Sequence, residues 1–169
     1  AALQRTFAVM DEKPQITDRP GAKALAVAGG EIRFKDLGFS YNTEQTALHH
    51  VDFAAEAGRT TALVGRSGSG KSTLLSLVPR LYDVTSGAVL VDGQDVRDVT
   101  LRSLRSAIAV VSQDVVLFDD TVRANIAFGR PGATEEEIVA ASKAAAAHDF
   151  IMRMPQGYDT VVGPGGGRL

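Results

Sequence analysis

A run of eight residues in the first half of the chain has the types and spacing needed to bind a polyphosphate. The run Gly65-Arg66-Ser67-Gly68-Ser69-Gly70-Lys71-Ser72 fits the pattern G-x-x-x-x-G-K-[ST] in full. Its glycines let the backbone curl so that successive N–H groups point inward and form an anion cradle. Lys71 can reach β- and γ-phosphates, the Ser72 hydroxyl can ligate a bridging Mg²⁺, and the Thr73 hydroxyl can reach an α-phosphate. We therefore predict a phosphate-binding loop for a nucleotide with Mg²⁺.

Such a loop must be held between a strand and a helix, and the sequence indicates both. Thr60–Val64 is a short, β-branched and apolar run, which predicts a strand that leads into the loop. Apolar residues at helical spacing predict a helix over Lys71–Leu81. A strand, a glycine-rich loop and a helix in this order are the context that supports the motif.

Strands and helices alternate along much of the remaining chain, which favours the α/β class. Alternating apolar residues from Glu31 to Phe39 predict a half-buried strand, and His50–Ala55 is a candidate hairpin partner. Further predicted elements are a strand Ala88–Val91 that ends in an Asp92-Gly93 turn, a helix Leu101–Ala107, a strand Ile108–Val111 and a helix Glu135–Ala147. Thr134 and Glu137 have the spacing of a capping box at the start of the last helix.

Composition and charge exclude several classes of function. The 169 residues include 18 Lys+Arg and 20 Asp+Glu, so the net charge is −2, without the basic surface that nucleic-acid binding requires. The absence of cysteine excludes disulfide frameworks, thiolate catalysis and cysteine-based zinc sites. No uncharged apolar run approaches the ~18 to 20 residues that span a bilayer. We therefore expect a soluble piece of about one domain's length with no nucleic-acid partner.

Three further segments narrow the class of nucleotide-binding protein. Tyr41, in Phe39-Ser40-Tyr41, lies 24 residues before Gly65. Gln113, in Val111-Ser112-Gln113, lies 42 residues after Lys71. The third segment is Leu117-Phe118-Asp119-Asp120-Thr121-Val122-Arg123-Ala124-Asn125-Ile126. Together with the loop, these segments resemble the nucleotide-binding domain of an ATP-binding cassette (ABC) exporter of the lipid and multidrug type.

The resemblance implies roles for individual residues, with ATP and Mg²⁺ as the ligands. Tyr41 would stack on the adenine ring, as an aromatic side chain can stack on any base. Gln113 would contact Mg²⁺ or the attacking water, so Lys71 and Gln113 are the expected catalytic residues, and Ser72 and Gln113 the expected metal-binding residues. The residues expected to bind ATP are Tyr41, Gly65, Ser67, Gly68, Ser69, Gly70, Lys71, Ser72 and Thr73.

The resemblance also implies an architecture: an α/β P-loop NTPase core of the ABC ATPase type, with an N-terminal antiparallel β region and the start of a helical subdomain. Residues 1–28 resemble the linker from a membrane domain, and residues 29–169 resemble the ATP-binding domain. That domain is expected to be incomplete, because Leu169 would be the first residue of the family's signature LSGGQ. The rest of the signature, the Walker B aspartate, the catalytic glutamate and the switch histidine would follow it.

The implied function is binding of MgATP, with hydrolysis in the full-length parent that drives export of a lipid, drug or similar substrate. The 169-residue piece by itself is not expected to turn over ATP. The implied partners are the transmembrane domain of the same transporter and a second nucleotide-binding domain in a head-to-tail dimer. The implied location is the cytoplasmic face of a membrane.

Two other interpretations explain part of the sequence. One is another P-loop NTPase or kinase, although no N-K-x-D follows Lys71, which disfavours a GTPase. The other is a non-catalytic, truncated nucleotide-binding fragment. Val89–Asp92 imitates a Walker B strand, but Asp92-Gly93 is a strong turn pair, so a structural role is expected for Asp92. His49, His50 and His148 are expected to be structural rather than metal ligands.

Overall fold

The computed structural model describes Phe7 and residues 11–42, 46–112 and 116–163. The chain divides into two compact units, residues 1–110 and residues 111–169. The first unit contains strands β1 (Ile32–Ser40), β2 (Thr46–Ala55), β3 (Ser86–Val91) and β4 (Gln94–Asp95), and helices α1 (Lys71–Leu77) and α2 (Leu101–Ser106). The second unit contains helices α3 (Val122–Ala127), α4 (Glu135–Ala144) and α5 (His148–Met152), and a 3₁₀ turn at Gly157–Asp159.

The four strands of the first unit form one antiparallel sheet in the order β2-β1-β3-β4. Phe34, Leu37 and Phe39 of β1 are all buried. An interval of three residues would place Phe34 and Leu37 on opposite faces of a regular strand. A register shift between them, with Asp36 at φ 43°, turns both side chains to the core. The predicted antiparallel β region is therefore confirmed.

The core of the first unit joins one face of the sheet to α1 and α2. Leu37, Val89 and Leu104 are completely buried, and Leu77 of α1 is 1% exposed. Full burial of one such side chain contributes roughly 1.5–3 kcal/mol. This packing fixes α1 against the sheet, and it thereby fixes the end of the glycine-rich loop that leads into α1.

The second unit has a small core of its own, formed by Val122, Ile138, Ile151, Tyr158 and Val162. The predicted capping box at the start of α4 is confirmed. The Thr134 hydroxyl accepts the Glu137 N–H at 3.3 Å, and Glu137 Oε2 accepts the Thr134 N–H at 2.9 Å. Helix α4 ends at Ala144 rather than at Ala147, because Ala146 adopts φ 55°, outside the helical region.

Two of the predicted strands are wrong. Residues 60–64 lead into the loop and residues 108–111 follow α2, but neither span forms a strand. A strand requires ladder hydrogen bonds with a neighbour, and no described residue forms a ladder with either span. Val64, for example, is 94% exposed. The helix predicted over Lys71–Leu81 also ends early, at Leu77, and Arg80 beyond it has φ 53°.

Candidate nucleotide-binding site

The loop at residues 65–70 leads directly into α1, and two of its glycines adopt left-handed backbone conformations. Gly68 has φ 79° and Gly70 has φ 85°, and such a conformation costs a residue with a side chain about 1–2 kcal/mol. A Cβ on Gly70 would lie 2.6 Å from Leu48 Cδ2 and 3.1 Å from the Ala47 carbonyl oxygen. Both the backbone conformation of residue 70 and the close approach of β2 therefore favour glycine there.

The Lys71 side chain folds back over this loop. Its Nζ donates to the carbonyl oxygens of Gly65 and Arg66, each at 2.8 Å, and to Ser69 Oγ at 3.3 Å. An ammonium group has three donors, and three oxygen atoms of the loop accept hydrogen bonds from them. The positive charge is thereby held beside the glycine-rich backbone.

A cavity of about 720 Å³ lies over the loop. Its lining combines the loop and the start of α1 with the β1–β2 hairpin: Tyr41, Asn42, Thr46, Ala47, Ser67, Gly68, Ser69, Gly70, Lys71, Ser72 and Thr73. Lys71 is the one charged side chain among these described lining residues, so the cavity favours an anion. Eight of the nine residues predicted to bind ATP lie here, and the ninth, Gly65, lines an adjoining cavity together with Lys71.

Tyr41 belongs to the same cavity as the phosphate-binding loop. It is 56% exposed, and its Oη lies 3.0 Å from Thr73 Oγ1, within hydrogen-bond distance. Its ring lies edge-on to Phe39, with centroids 4.8 Å apart and planes at 82°. Tyr41, which is predicted to bind the base, therefore contacts Thr73, which is predicted to lie at the α-phosphate.

The described residues fit a nucleotide phosphate with Mg²⁺. The N–H groups of the first turn of α1, beginning at Lys71, have no acceptor within the helix. Ser72 is exposed and lines the cavity, and its hydroxyl is an oxygen ligand of the kind that Mg²⁺ accepts besides phosphates and water. Gln113, the other residue predicted to bind the metal, lies outside the described residues.

Asp92, which imitates a Walker B aspartate in the sequence, is engaged elsewhere. Its carboxylate accepts the backbone N–H groups of Ala28, Gly29, Gly30 and Glu31 at distances of 2.8–3.1 Å. These hydrogen bonds, with that from Gly30 the largest cause, lower the pKa of Asp92 from 3.8 to about 2. The predicted structural role is confirmed, but this contact was not predicted, because its partners lie 61 to 64 residues away in sequence.

Contacts of two histidines agree with the structural role predicted for them. His50 Nδ1 lies 2.7 Å from Asp36 Oδ1, and His148 Nδ1 lies 2.9 Å from the Tyr158 hydroxyl oxygen. Within the described ranges, no group of three or more His, Cys, Asp or Glu side chains could hold a metal ion.

Sequence reasoning missed one residue near the site. The Tyr82 ring lies edge-on to Tyr41, with centroids 5.2 Å apart and planes at 88°. No spacing rule connects a residue beyond the end of α1 with one at the end of β1, so the sequence carried no signal for this contact.

Comparison with known proteins decides the family. The model of the ABC transporter family matches residues 48–163, which include the loop and more than half of the chain. The chain belongs to the ABC transporter family. It is 49% identical, over all of its 169 residues, to the ATP-dependent lipid A-core flippase of Desulfotalea psychrophila, of which it covers 29%. It is 50% identical to the Bacillus subtilis protein YgaD, whose name places it among multidrug export ATP-binding/permease proteins, and it again covers 29% of the relative.

A solved structure of a bacterial Atm1-family ABC exporter with ATP bound matches this ABC protein with a TM-score of 0.91 and 46% identity. The match covers 99% of the chain and 30% of the exporter chain. The resemblance drawn from the motifs and the predicted ABC ATPase fold are therefore confirmed. The chain spans about three tenths of the length of these relatives. Among the residues that the structure describes, no helix is both long and apolar enough to cross a membrane.

Proposed function

We propose that this chain is the ATP-binding module of an ABC exporter and that it binds MgATP through residues 65–73 and Tyr41. The observation that carries the proposal is the cavity in which the glycine-rich loop, Lys71 and Tyr41 meet. Membership of the ABC transporter family and the likeness to an exporter with ATP bound support it. The same matches favour this function over a kinase or GTPase that shares only the loop.

Each part of the loop has a distinct task in the proposed complex. Gly68 and Gly70 turn the backbone so that the N–H groups of the loop and of the first turn of α1 bind phosphate oxygens. Lys71 places an ammonium group where charge develops on the γ-phosphate. Ser72 would hold Mg²⁺, and Thr73 would contact the α-phosphate. Mg²⁺ held there would supply positive charge that neutralises part of the charge of the phosphates.

Tyr41 would hold the base, and Gln113 would act at the metal. The exposed ring of Tyr41 can stack on a base of any identity, so Tyr41→Ala should weaken base binding modestly. Gln113 is proposed on the family resemblance as the residue that contacts Mg²⁺ or the attacking water, beside Lys71 as the second catalytic residue. Gln113→Ala should therefore reduce Mg²⁺-dependent steps more than it reduces nucleotide affinity.

In the longer protein, we infer that ATP hydrolysis drives the export of a substrate across a membrane. Two relatives, named as a lipid A-core flippase and a multidrug export protein, support a lipid or drug-like substrate class. The proposed partners are a transmembrane domain, joined through residues 1–28, and a second nucleotide-binding domain in a head-to-tail dimer. The proposed location is the cytoplasmic face of the membrane.

We infer that the 169 residues alone bind ATP without appreciable turnover. No carboxylate is among the described residues that line the cavity, and Asp92 is engaged by four backbone N–H groups. Besides the charge stabilisation from Lys71 and the contact proposed for Gln113, hydrolysis needs a carboxylate that accepts a proton from the attacking water. Phosphate release measured with saturating MgATP should remain at the rate of the Lys71→Ala variant, and turnover clearly above that rate would contradict this inference.

The proposal is tested by calorimetric titration of MgATP into the chain and two lysine variants. Lys71→Ala removes the ammonium group at the loop, and Lys35→Ala removes a matched lysine from an exposed position of β1. A charge-assisted hydrogen bond is worth about 1.5–3 kcal/mol, so Lys71→Ala should weaken MgATP binding roughly 10- to 100-fold. Lys35→Ala should bind as the wild type does. Equal affinities for the two variants would refute the proposed site.

A competition titration tests the nucleotide. Because the base would be held by stacking on Tyr41, GTP should displace ATP only at similar or higher concentrations. Displacement of ATP by GTP at far lower concentrations would favour a GTPase instead.

A further inference from the structure

Three aromatic rings, Phe39, Tyr41 and Tyr82, form a cluster at one end of the proposed nucleotide site. The centroid of Tyr41 lies 4.8 Å from that of Phe39 and 5.2 Å from that of Tyr82, and the Phe39 and Tyr82 centroids are 5.6 Å apart. Both contacts of Tyr41 are edge-on, with interplanar angles of 82° and 88°. Edge-on rings at 4.5–7 Å attract each other through their quadrupoles, beyond the area that they bury.

The three rings differ in exposure and in their relation to the cavity. Phe39 is 3% exposed and belongs to the core, whereas Tyr82 is 43% and Tyr41 is 56% exposed. Of these three described residues, Tyr41 is the one that lines the cavity. Tyr82 therefore affects the cavity through Tyr41. Phe39, which is packed in the core, holds the cluster in place.

Tyr41 is consequently held at three points. Phe39 and Tyr82 contact its ring, and its hydroxyl lies 3.0 Å from Thr73 Oγ1. An exposed tyrosine loses side-chain freedom when a ligand stacks on it, and this loss opposes binding. A ring that is already held in place loses less side-chain freedom when a ligand binds, so the contacts that hold Tyr41 favour the bound state.

We propose that Tyr82 is a positioning residue for base binding, which holds the Tyr41 ring in the orientation that stacks on the nucleotide base. This inference rests on the proposed function and concerns the base end of that site. Tyr82 contacts Tyr41, whereas the Lys71 ammonium group is held by the carbonyl oxygens of Gly65 and Arg66 in the loop itself. Tyr82 therefore affects ligands that carry a base and leaves phosphate-only ligands unaffected.

The test compares two ligands, MgATP and inorganic tripolyphosphate with Mg²⁺, in calorimetric titrations of the 169-residue chain. The variants are Tyr82→Ala, which removes the ring, Tyr82→Phe, which retains it, and Leu81→Ala, a control at the neighbouring half-exposed position. Tyr82→Ala should bind MgATP about 3- to 10-fold more weakly, the effect of losing one aromatic pair. Its affinity for tripolyphosphate should be unchanged. Tyr82→Phe and Leu81→Ala should bind both ligands as the wild type does.

A double variant separates positioning from direct contact. In a Tyr41→Ala background, Tyr82→Ala should have no further effect on MgATP affinity, because the ring that it positions is gone. An unchanged MgATP affinity for Tyr82→Ala in the wild-type background would overturn the inference. So would an equal weakening of both ligands, or a full effect of Tyr82→Ala in the Tyr41→Ala background.

Two controls distinguish the loss of the Tyr82 ring from a loss of folding, and the failure of this inference from the failure of the proposed function. Tyr82→Leu retains apolar volume without an aromatic ring, and it should reproduce the Tyr82→Ala result if a loss of folding is not the cause. A wild-type chain that binds neither ligand in a Lys71-dependent manner would refute the proposed function, and this inference with it. Lys71-dependent binding that is insensitive to Tyr82 would refute the inference alone.

Discussion

Gly70 offers the sharpest test of how the loop is built, because Gly68 is a matched control two residues away. Both glycines have left-handed backbones, with φ 85° and φ 79°. An alanine at either position would bear the same conformational strain of about 1–2 kcal/mol. It would also gain about 0.4–1 kcal/mol from a less flexible unfolded chain. The two substitutions differ in what the new methyl group meets.

A methyl group at Gly68 has open space, whereas one at Gly70 would lie 2.6 Å from Leu48 Cδ2 and 3.1 Å from the Ala47 carbonyl oxygen. Overpacking of this kind costs typically about 1–3 kcal/mol. Gly68→Ala should therefore lower the free energy of unfolding by about 1 kcal/mol, and Gly70→Ala by about 2–4 kcal/mol. The difference between the variants isolates the approach of β2, because the backbone strain and the unfolded-state effect are common to both.

Urea unfolding followed by far-ultraviolet circular dichroism measures this difference, and that probe suits a chain without tryptophan. The denaturation midpoints should shift in the stated order with a constant m-value. In a Leu48→Ala background, Gly70→Ala should lower the free energy of unfolding by less, because the leucine methyl group nearest to the new Cβ is removed. Equal midpoints for Gly68→Ala and Gly70→Ala would refute the reasoning that β2 dictates a glycine at residue 70.

Two further predictions concern parts of the chain away from the loop. The folded-state pKa of Asp92 lies below its ordinary value of 3.8, at about 2. Its contribution to stability is therefore present above about pH 4 and is lost as the pH falls towards 2. In Asp92→Asn, the free energy of unfolding should therefore fall less steeply between pH 4 and pH 2 than it does in the wild type. Parallel curves of unfolding free energy against pH for the two proteins would contradict this. Thr134→Ala removes the capping box of α4 and should cost about 1 kcal/mol of stability in urea unfolding, whereas Thr134→Ser should cost little; equal losses in the two variants would count against the cap.

Elements with local signals could be predicted from the sequence. The capping box of α4 needs only Thr134 and Glu137, three residues apart, and it forms as predicted. The turn at Asp92 and Gly93 needs two residues with positive φ, and both have them, at 47° and 76°. The phosphate-binding loop could be predicted because the eight residues Gly65–Ser72 specify backbone freedom, a positive charge and a hydroxyl group.

Features that depend on distant partners could not be predicted. The spans 60–64 and 108–111 have the composition of strands, but a ladder depends on a neighbour that the span itself does not reveal. The four N–H groups bound by Asp92 come from residues 28–31, more than 60 positions away. The contact between Tyr82 and Tyr41 likewise joins two segments with no shared periodicity.

The β1–β2 hairpin connects the two ends of the proposed site. Tyr41 follows the last residue of β1, and it carries the aromatic ring at the base end. Ala47 and Leu48 lie near the start of β2, and they contact the position that a Cβ of Gly70 would occupy at the phosphate end. Because side chains alternate along a strand, a slip of one residue in β2 would turn Leu48 away from the loop. The register of this single hairpin therefore sets the distance between the base-binding ring and the phosphate-binding backbone.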